Sequence, residues 1–182
     1  MIVVGLDLSL TCTGIVRLNG SEVRVDRVLS APPMEATRQK RPPTLGERFL
    51  RLSEIAAKAC ETIGMPDLVV VEQPAFSQNS GSHHDRSGLW WIVMERLMVY
   101  GVDGAEVSPT GLKKFATGKG NASKTAVVDA VARRWPEVQT DGDDNVADAL
   151  VLAKMGVFHL GENEEDLPKA HLASLDAVRW PG

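Results

Sequence analysis

Hydrophobic residues recur along the chain with two different periods. Five short runs have strand character, at 2–8, 13–18, 22–29, 67–74 and 104–108. Four longer segments carry apolar residues every three or four positions, at 45–63, 88–100, 123–134 and 145–159, and we also consider a short helix at 110–115. The order β-β-β-α-β-α-β-α-α predicts an α/β fold. We expect a mixed five-stranded sheet, an antiparallel meander followed by two parallel strands, flanked by helices.

Turn and capping residues support several of these boundaries. Asn19-Gly20 is a strong hairpin signal between the second and third strands. Thr44 and Glu47 have the spacing of a capping box at the start of the helix 45–63. Four prolines make 31–44 a predicted loop, and the polar, glycine-containing stretch 75–88 is a second one.

The chain length of 182 residues fits one domain with a tail. We expect the domain to span 1–160, and the acidic stretch that opens 161–182 indicates a peripheral tail. No apolar run approaches the roughly 20 residues that cross a bilayer, and the N-terminus lacks the features of a signal peptide. These features predict a cytoplasmic protein without a membrane segment.

Charge is unevenly distributed, although the formal net charge is only −4. Residues 107–134 contain six bases and one acid, residues 36–51 contain five bases and one acid, and residues 141–148 contain four acids and no base. A nucleic-acid enzyme that uses metal ions needs such segments, because bases contact phosphate and acids hold cations. Each segment is equally compatible with an ordinary solvated face.

Three carboxylates lie where the pattern calls for apolar side chains. Asp7 is in the first apolar strand, Glu72 is at the end of VVVEQ, and Asp148 is in the apolar helix DDNVADALVLA. Burying an isolated carboxylate is costly, so such a group is paired, protonated or bound to a cation. A salt bridge could explain any one of them, but all three together favour a shared cation site.

The predicted ligands are oxygen atoms, which suit Mg²⁺ or Mn²⁺ better than zinc. The four histidines lack the spacing of a zinc motif. Two such cations would activate a water molecule and stabilise the leaving oxygen of a phosphodiester. Asp144, four residues before Asp148 and on the same helix face, could serve the second cation or cap the helix, and both roles remain open.

Four segments, in order along residues 1–160, resemble RuvC-type Holliday junction resolvases, which belong to the RNase H-like superfamily. They are GLDLSLTCTG, VVVEQPAF, VSPTGLKKFATGKGNASKTAVVDAV and DDNVADALVLA. The resemblance implies an RNase H-like fold, a homodimer and Mg²⁺-dependent paired nicking of branched DNA. It implies that Asp7, Glu72 and Asp148 are metal ligands and that Lys113 and Lys124 lie near the scissile phosphate. Phe76 matches an aromatic residue that contacts bases near the junction.

The sequence departs from the family pattern at the fourth ligand. Asn145 stands where the family usually has Asp or His, so Asn145, Asp144 or Asp143 could complete the site. Loops 31–44 and 77–88 are longer than in compact bacterial members and look more like bacteriophage members. Further DNA-binding candidates are Arg86, Lys114 and Lys119.

Two other functions are compatible with parts of the sequence. A sugar kinase or actin-like ATPase shares the meander and the phosphate-binding strand, but it needs a duplicated domain, and the chain has no internal repeat. A catalytically impaired DNA-binding or assembly protein with the same fold is the second alternative, and Asn145 is the feature that favours it. The stripe of Trp90, Trp91, Met94 and Leu97 belongs either to the core or to a dimer interface.

Overall fold

The computed structural model describes residues 1–74, 82–162 and 166–182. The strands are β1 (Ile2–Asp7), β2 (Cys12–Asn19), β3 (Glu22–Leu29), β4 (Leu68–Glu72) and β5 (Asp103–Val107). The helices are α1 (Met34–Arg38), α2 (Leu45–Ile63), α3 (His83–Val99), α4 (Pro109–Thr117), α5 (Lys124–Arg134), α6 (Asp144–His159) and α7 (Lys169–Leu172). A 3-10 turn covers Leu175–Ala177.

The strands form one sheet in the order β3-β2-β1-β4-β5. The pairs β1–β2 and β2–β3 are antiparallel, and the pairs β1–β4 and β4–β5 are parallel. This arrangement confirms the predicted mixed sheet with its meander and two parallel strands. Helices cover both faces, because successive strand residues point to opposite sides and both sides are apolar.

Two hydrophobic clusters lie on the two faces of the sheet. One joins the sheet to α4, α5 and α6 and contains the largest buried side chain, Trp135. The other joins it to α2 and α3 and includes Ile55 and Trp90. Helix α6 is the most deeply buried helix, with nine buried residues between Val146 and Gly156. A carboxylate on this helix therefore lies close to the centre of the fold.

Several boundaries differ from the sequence-based prediction. The proline-rich stretch 31–44 is not entirely loop, since α1 forms between its two proline pairs. Helix α3 begins at His83 rather than at residue 88, so His83, His84 and Arg86 are on a helix and not in a loop. The prediction for α2 is confirmed, with both hydrogen bonds of the Thr44–Glu47 capping box.

The segment 166–182 packs against the rest of the chain. Leu167 belongs to the cluster around α6, and His171 is buried against α4. The Trp180 ring stacks on His159, and Arg179 forms a β-bridge with Glu106. The sequence pattern indicated a peripheral tail because it lacks a long amphipathic run, whereas these contacts are made by single side chains. No helix among the described residues is long and apolar enough to cross a membrane.

Candidate active site

The carboxyl ends of two neighbouring strands bring Asp7 and Glu72 together. Leu6 pairs with Val71 in the parallel register of β1 and β4, so Asp7 and Glu72 occupy the next position on each strand. Adjacent strands are about 4.8 Å apart. The Trp90 side chain on α3 donates a hydrogen bond to the backbone carbonyl of Glu72 at 3.0 Å. This bond fixes the end of β4 against α3.

The third carboxylate arrives on α6, which lies unusually close to the sheet. A Cβ atom on Gly5 would stand 1.9 Å from the carbonyl oxygen of Ala149, and one on Gly14 would stand 2.2 Å from that of Asn145. Any other residue at these strand positions would push the helix away. The two glycines therefore allow α6 to lie on β1 and β2, with Asp148 beside the strand that carries Asp7.

These three acids line one pocket of about 380 Å³. Its remaining polar and charged lining comes from six different elements and loops: Ser9, Gln73, Arg86, Lys113, Lys124 and Asn145. The three acids, the two lysines and Asn145, which the sequence predicted to share a site, therefore line the same pocket. The pocket is polar and open on one side, as a site for an extended substrate must be.

Electrostatics in the pocket oppose full ionisation of the acids. Burial raises the pKa of Glu72 to about 7, with a further rise from Asp148. Burial likewise raises the pKa of Asp148 to about 6, and Lys124 partly offsets that rise. The Asp7 pKa lies well above its usual value because of burial and the neighbouring Glu72 and Asp148. Such displaced values indicate a functional site.

The donor set fits a hard divalent cation. Carboxylate and amide oxygens are the ligands of Mg²⁺ and Mn²⁺, and a cation would relieve the repulsion that raises the three pKa values. In the ranges that the structure describes, no three His, Cys, Asp or Glu side chains already converge into a cation cage.

The N-terminus of α6 carries the three candidates for the fourth ligand, Asp143, Asp144 and Asn145. Asp143, not Asp144, caps the helix, and its Oδ1 accepts hydrogen bonds from the backbone of Asn145 at 2.9 Å and of Val146 at 3.3 Å. The capping role considered for Asp144 is therefore wrong. Asp144 forms an ion pair with Lys124 instead. Asn145 faces the pocket, and its side-chain nitrogen lies 3.3 Å from Asp143.

Arg27 is a residue that the sequence did not single out. From β3 its guanidinium donates to Asp143 at 2.9 Å and to the carbonyl oxygen of Thr140 at 3.1 Å. It also contacts Asp141 at 3.3 Å. Arg27 thereby holds the turn that precedes α6. Two residues of α6, Asn145 and Asp148, line the pocket. An arginine in an alternating edge strand gives no sequence signal for such a role.

The two basic segments, 36–51 and 107–134, have different surroundings in the structure. In 36–51 the arginines bond to other parts of the chain: Arg38 pairs with Glu35, Arg41 with Glu47 and Arg48 with Asp85, while Arg51 donates to the carbonyl oxygen of Leu10. Each of these four arginines therefore has a partner within the chain. In 107–134, Lys113 and Lys124 line the pocket, whereas Lys119 lines a different groove and Lys114 lines neither. Phe76 lies outside the described residues.

The chain is similar in sequence to bacterial proteins. It is 34% identical over 94 residues to the crossover junction endodeoxyribonuclease RuvC of Gloeobacter violaceus, covering 52% of this chain and 54% of that one. The match therefore spans about half of that relative. It is 27% identical over 165 residues to the RuvC of Carboxydothermus hydrogenoformans, covering 88% and 98% of the two chains. No family model matches the chain.

The fold is similar to that of solved RuvC structures. Thermus thermophilus RuvC superposes with a TM-score of 0.64 at 22% identity, covering 89% of this chain and 96% of that one. The same protein in complex with a Holliday junction substrate gives a TM-score of 0.66 at 20% identity, covering 90% and 96%. At this identity the structures establish the fold, and the RNase H-like prediction is confirmed. The chain is therefore similar to RuvC proteins in sequence, and it shares its fold with solved RuvC structures.

Proposed function

We propose that this chain is a structure-selective DNA endonuclease that hydrolyses phosphodiesters in Holliday junctions or other branched DNA. The products would carry a 5′-phosphate and a 3′-hydroxyl. The observation that carries the proposal is the meeting of Asp7, Glu72 and Asp148 with Lys113 and Lys124 in one pocket. The relatives support it, since they are named crossover junction endodeoxyribonucleases.

The proposed cofactor is Mg²⁺, two ions per active site, with Mn²⁺ as a substitute. Asp7, Glu72, Asp148 and Asn145 would hold the ions, because these side chains offer oxygen atoms to the pocket. When bound, such ions supply an activated water molecule and stabilise the leaving oxygen. Asp144 is the less suitable ligand, because its carboxylate already pairs with Lys124.

The lysines of the pocket act on the substrate. Lys113 and Lys124 place positive charge beside the acids, where a phosphodiester gains negative charge in the transition state. The ion pair with Asp144 limits where the Lys124 ammonium can move. Arg86, on the first turns of α3, lines the same pocket and would contact the DNA backbone. Phe76 remains our candidate for stacking on bases at the branch point.

We also propose that the enzyme acts as a homodimer on four-way junctions. Trp91 and Met98 lie seven positions apart on α3 and are 65% and 53% exposed. Exposed Trp and Met side chains on one helix face are typical of protein interfaces. Two active sites in one dimer would allow paired nicks on opposite strands.

The setting we propose is the cytoplasm of a bacterial or phage-infected cell, where branched DNA arises. The segments 31–44 and 77–88 are the basis for proposing a closer likeness to bacteriophage members. The relatives described above are bacterial, so this likeness rests on the length of these two segments alone. A phage enzyme of this kind could debranch replicating DNA before packaging.

Cleavage of a synthetic four-way junction tests the proposal. The protein is incubated with the junction, a linear duplex and a flap substrate, each in Mg²⁺ and in EDTA. We expect paired nicks on the junction in Mg²⁺ only, and none with Asp7→Asn. Binding of the junction without cleavage of any substrate in Mg²⁺ or Mn²⁺ would refute the nuclease and favour the alternative of an impaired DNA-binding protein, to which Asn145 points.

A further inference from the structure

A second basic surface lies outside the pocket of the three acids, and we call it the basic groove. It is formed by the end of α4, one face of α5 and the segment 166–182. Among the described residues, its charged and titratable lining consists of Lys119, Arg133, Arg134 and His171, without an Asp or Glu. Its floor consists of alanines, which leave room for a bulky backbone: Ala116, Ala122, Ala126 and Ala130.

Two side chains of the groove are held in place by the core of the fold. Arg134 donates to the carbonyl oxygen of Phe115 at 3.4 Å and lies 5.5 Å from the Trp135 ring centre. The His171 side chain places Nδ1 2.6 Å from the same carbonyl oxygen. A short contact of this kind identifies Nδ1 as the protonated nitrogen. Groups held in this way lose little freedom when they bind a ligand.

The other ring nitrogen of His171 is the unusual feature. The residue is only 9% exposed, yet among the described residues Nε2 has no hydrogen-bond partner. Gly118 keeps the space next to it open, since a Cβ there would stand 3.2 Å from Nε2. A buried nitrogen without a partner is costly unless a ligand or water satisfies it.

The same two helices, α4 and α5, line both the groove and the proposed active site. Lys113 lines the active-site pocket, and Thr117, one helical turn further along α4, lines the basic groove. On α5, Lys124 faces the pocket, while Ala126 and Ala130 face the groove. The hairpin of α4 and α5 therefore separates two surfaces that a single DNA arm could contact in succession.

We propose that the basic groove binds backbone phosphates of a DNA arm that extends from the cleaved junction. The proposal rests on the proposed function, because it assumes that the pocket receives DNA. The groove accepts an extended polyanion rather than an apolar segment, since three permanent cations and a histidine surround a shallow floor of small residues. Asp129, which pairs with Arg133, is exposed, so solvent weakens its competition with phosphate.

A pair of matched variants tests the groove. Ala130→Glu places a carboxylate on the groove floor, within one turn of Arg133 and Arg134. Ala132→Glu adds the same charge to the same helix at an exposed position that does not line the groove. Affinity for a four-way junction is measured in EDTA by fluorescence anisotropy over a series of salt concentrations, and circular dichroism verifies that both variants fold.

We expect Ala130→Glu to bind the junction about tenfold more weakly, with a salt dependence less steep by about one released counterion. Arg133→Gln should reduce the salt dependence by a similar amount. Ala132→Glu should match the wild type in affinity and in cleavage.

Equal affinities for Ala130→Glu, Ala132→Glu and the wild type would overturn the proposal that the groove binds DNA. They would leave the proposed nuclease activity untouched. If the wild type itself shows no metal-dependent cleavage, that result would instead overturn the proposed function, whatever the groove variants do. If Ala130→Glu fails to fold, Arg133→Gln provides the test, because Arg133 is exposed. A salt dependence of junction binding equal to that of the wild type would then refute the groove.

Discussion

Replacement of Glu72 by Gln should stabilise the metal-free protein at high pH. Burial and the neighbouring Asp148 raise the Glu72 pKa from 4.5 to about 7, so the ionised side chain is unfavourable in the folded state. An acid with a raised folded pKa reduces stability above that pKa, and the penalty disappears below its unfolded pKa. The penalty is therefore absent near pH 4 and complete above about pH 8. At 1.36 kcal/mol per pKa unit, the rise from 4.5 to about 7 amounts to about 3 kcal/mol.

Thermal unfolding in EDTA measures this penalty at pH 4 and pH 8.5. For a chain of this length we expect Glu72→Gln to melt about 4–12 °C higher than the wild type at pH 8.5 and at the same temperature at pH 4. Mg²⁺ should stabilise the wild type more than the variant, because it binds the folded state through the carboxylate. Glu22→Gln, at an exposed strand position, is the control and should change neither melting temperature. An equal effect of Glu72→Gln at both pH values would refute the raised pKa of Glu72.

Two further predictions concern the seat of α6 and the pocket lysines. Gly5→Ala places a methyl group against the Ala149 carbonyl and should lower the free energy of unfolding by about 3 kcal/mol or more. Gly46→Ala, with open space around it, should leave it unchanged or raise it by up to about 1 kcal/mol, as urea titration can measure. Lys113→Ala and Lys124→Ala should each slow single-turnover junction cleavage about 10- to 100-fold while changing affinity much less. An unchanged single-turnover rate would exclude either lysine from the chemistry.

Local sequence patterns predicted most of the elements. The capping box at Thr44 and the apolar period after it located α2 at its true boundaries. The helical residues within the two polar stretches were harder to predict. Helix α1 is only five residues long, and α3 begins with His83 and His84, which break the apolar pattern. Short or polar helices depend on tertiary contacts for stability, and Arg48 supplies one by pairing with Asp85 on α3, 37 positions away.

The sequence by itself determined the order of elements, the α/β class and the anomalous positions of Asp7, Glu72 and Asp148. These are local properties, because a carboxylate in an apolar strand is visible in a few residues. Only the tertiary structure decided that Asp143 caps α6, that Asp144 pairs with Lys124 and that Asn145 faces the pocket. It also decided which basic side chains line the active-site pocket, namely Arg86, Lys113 and Lys124. Ion pairs form between residues far apart in the chain, such as Arg27 and Asp143, 116 positions apart, so their partners are set by the packing of the sheet and its helices.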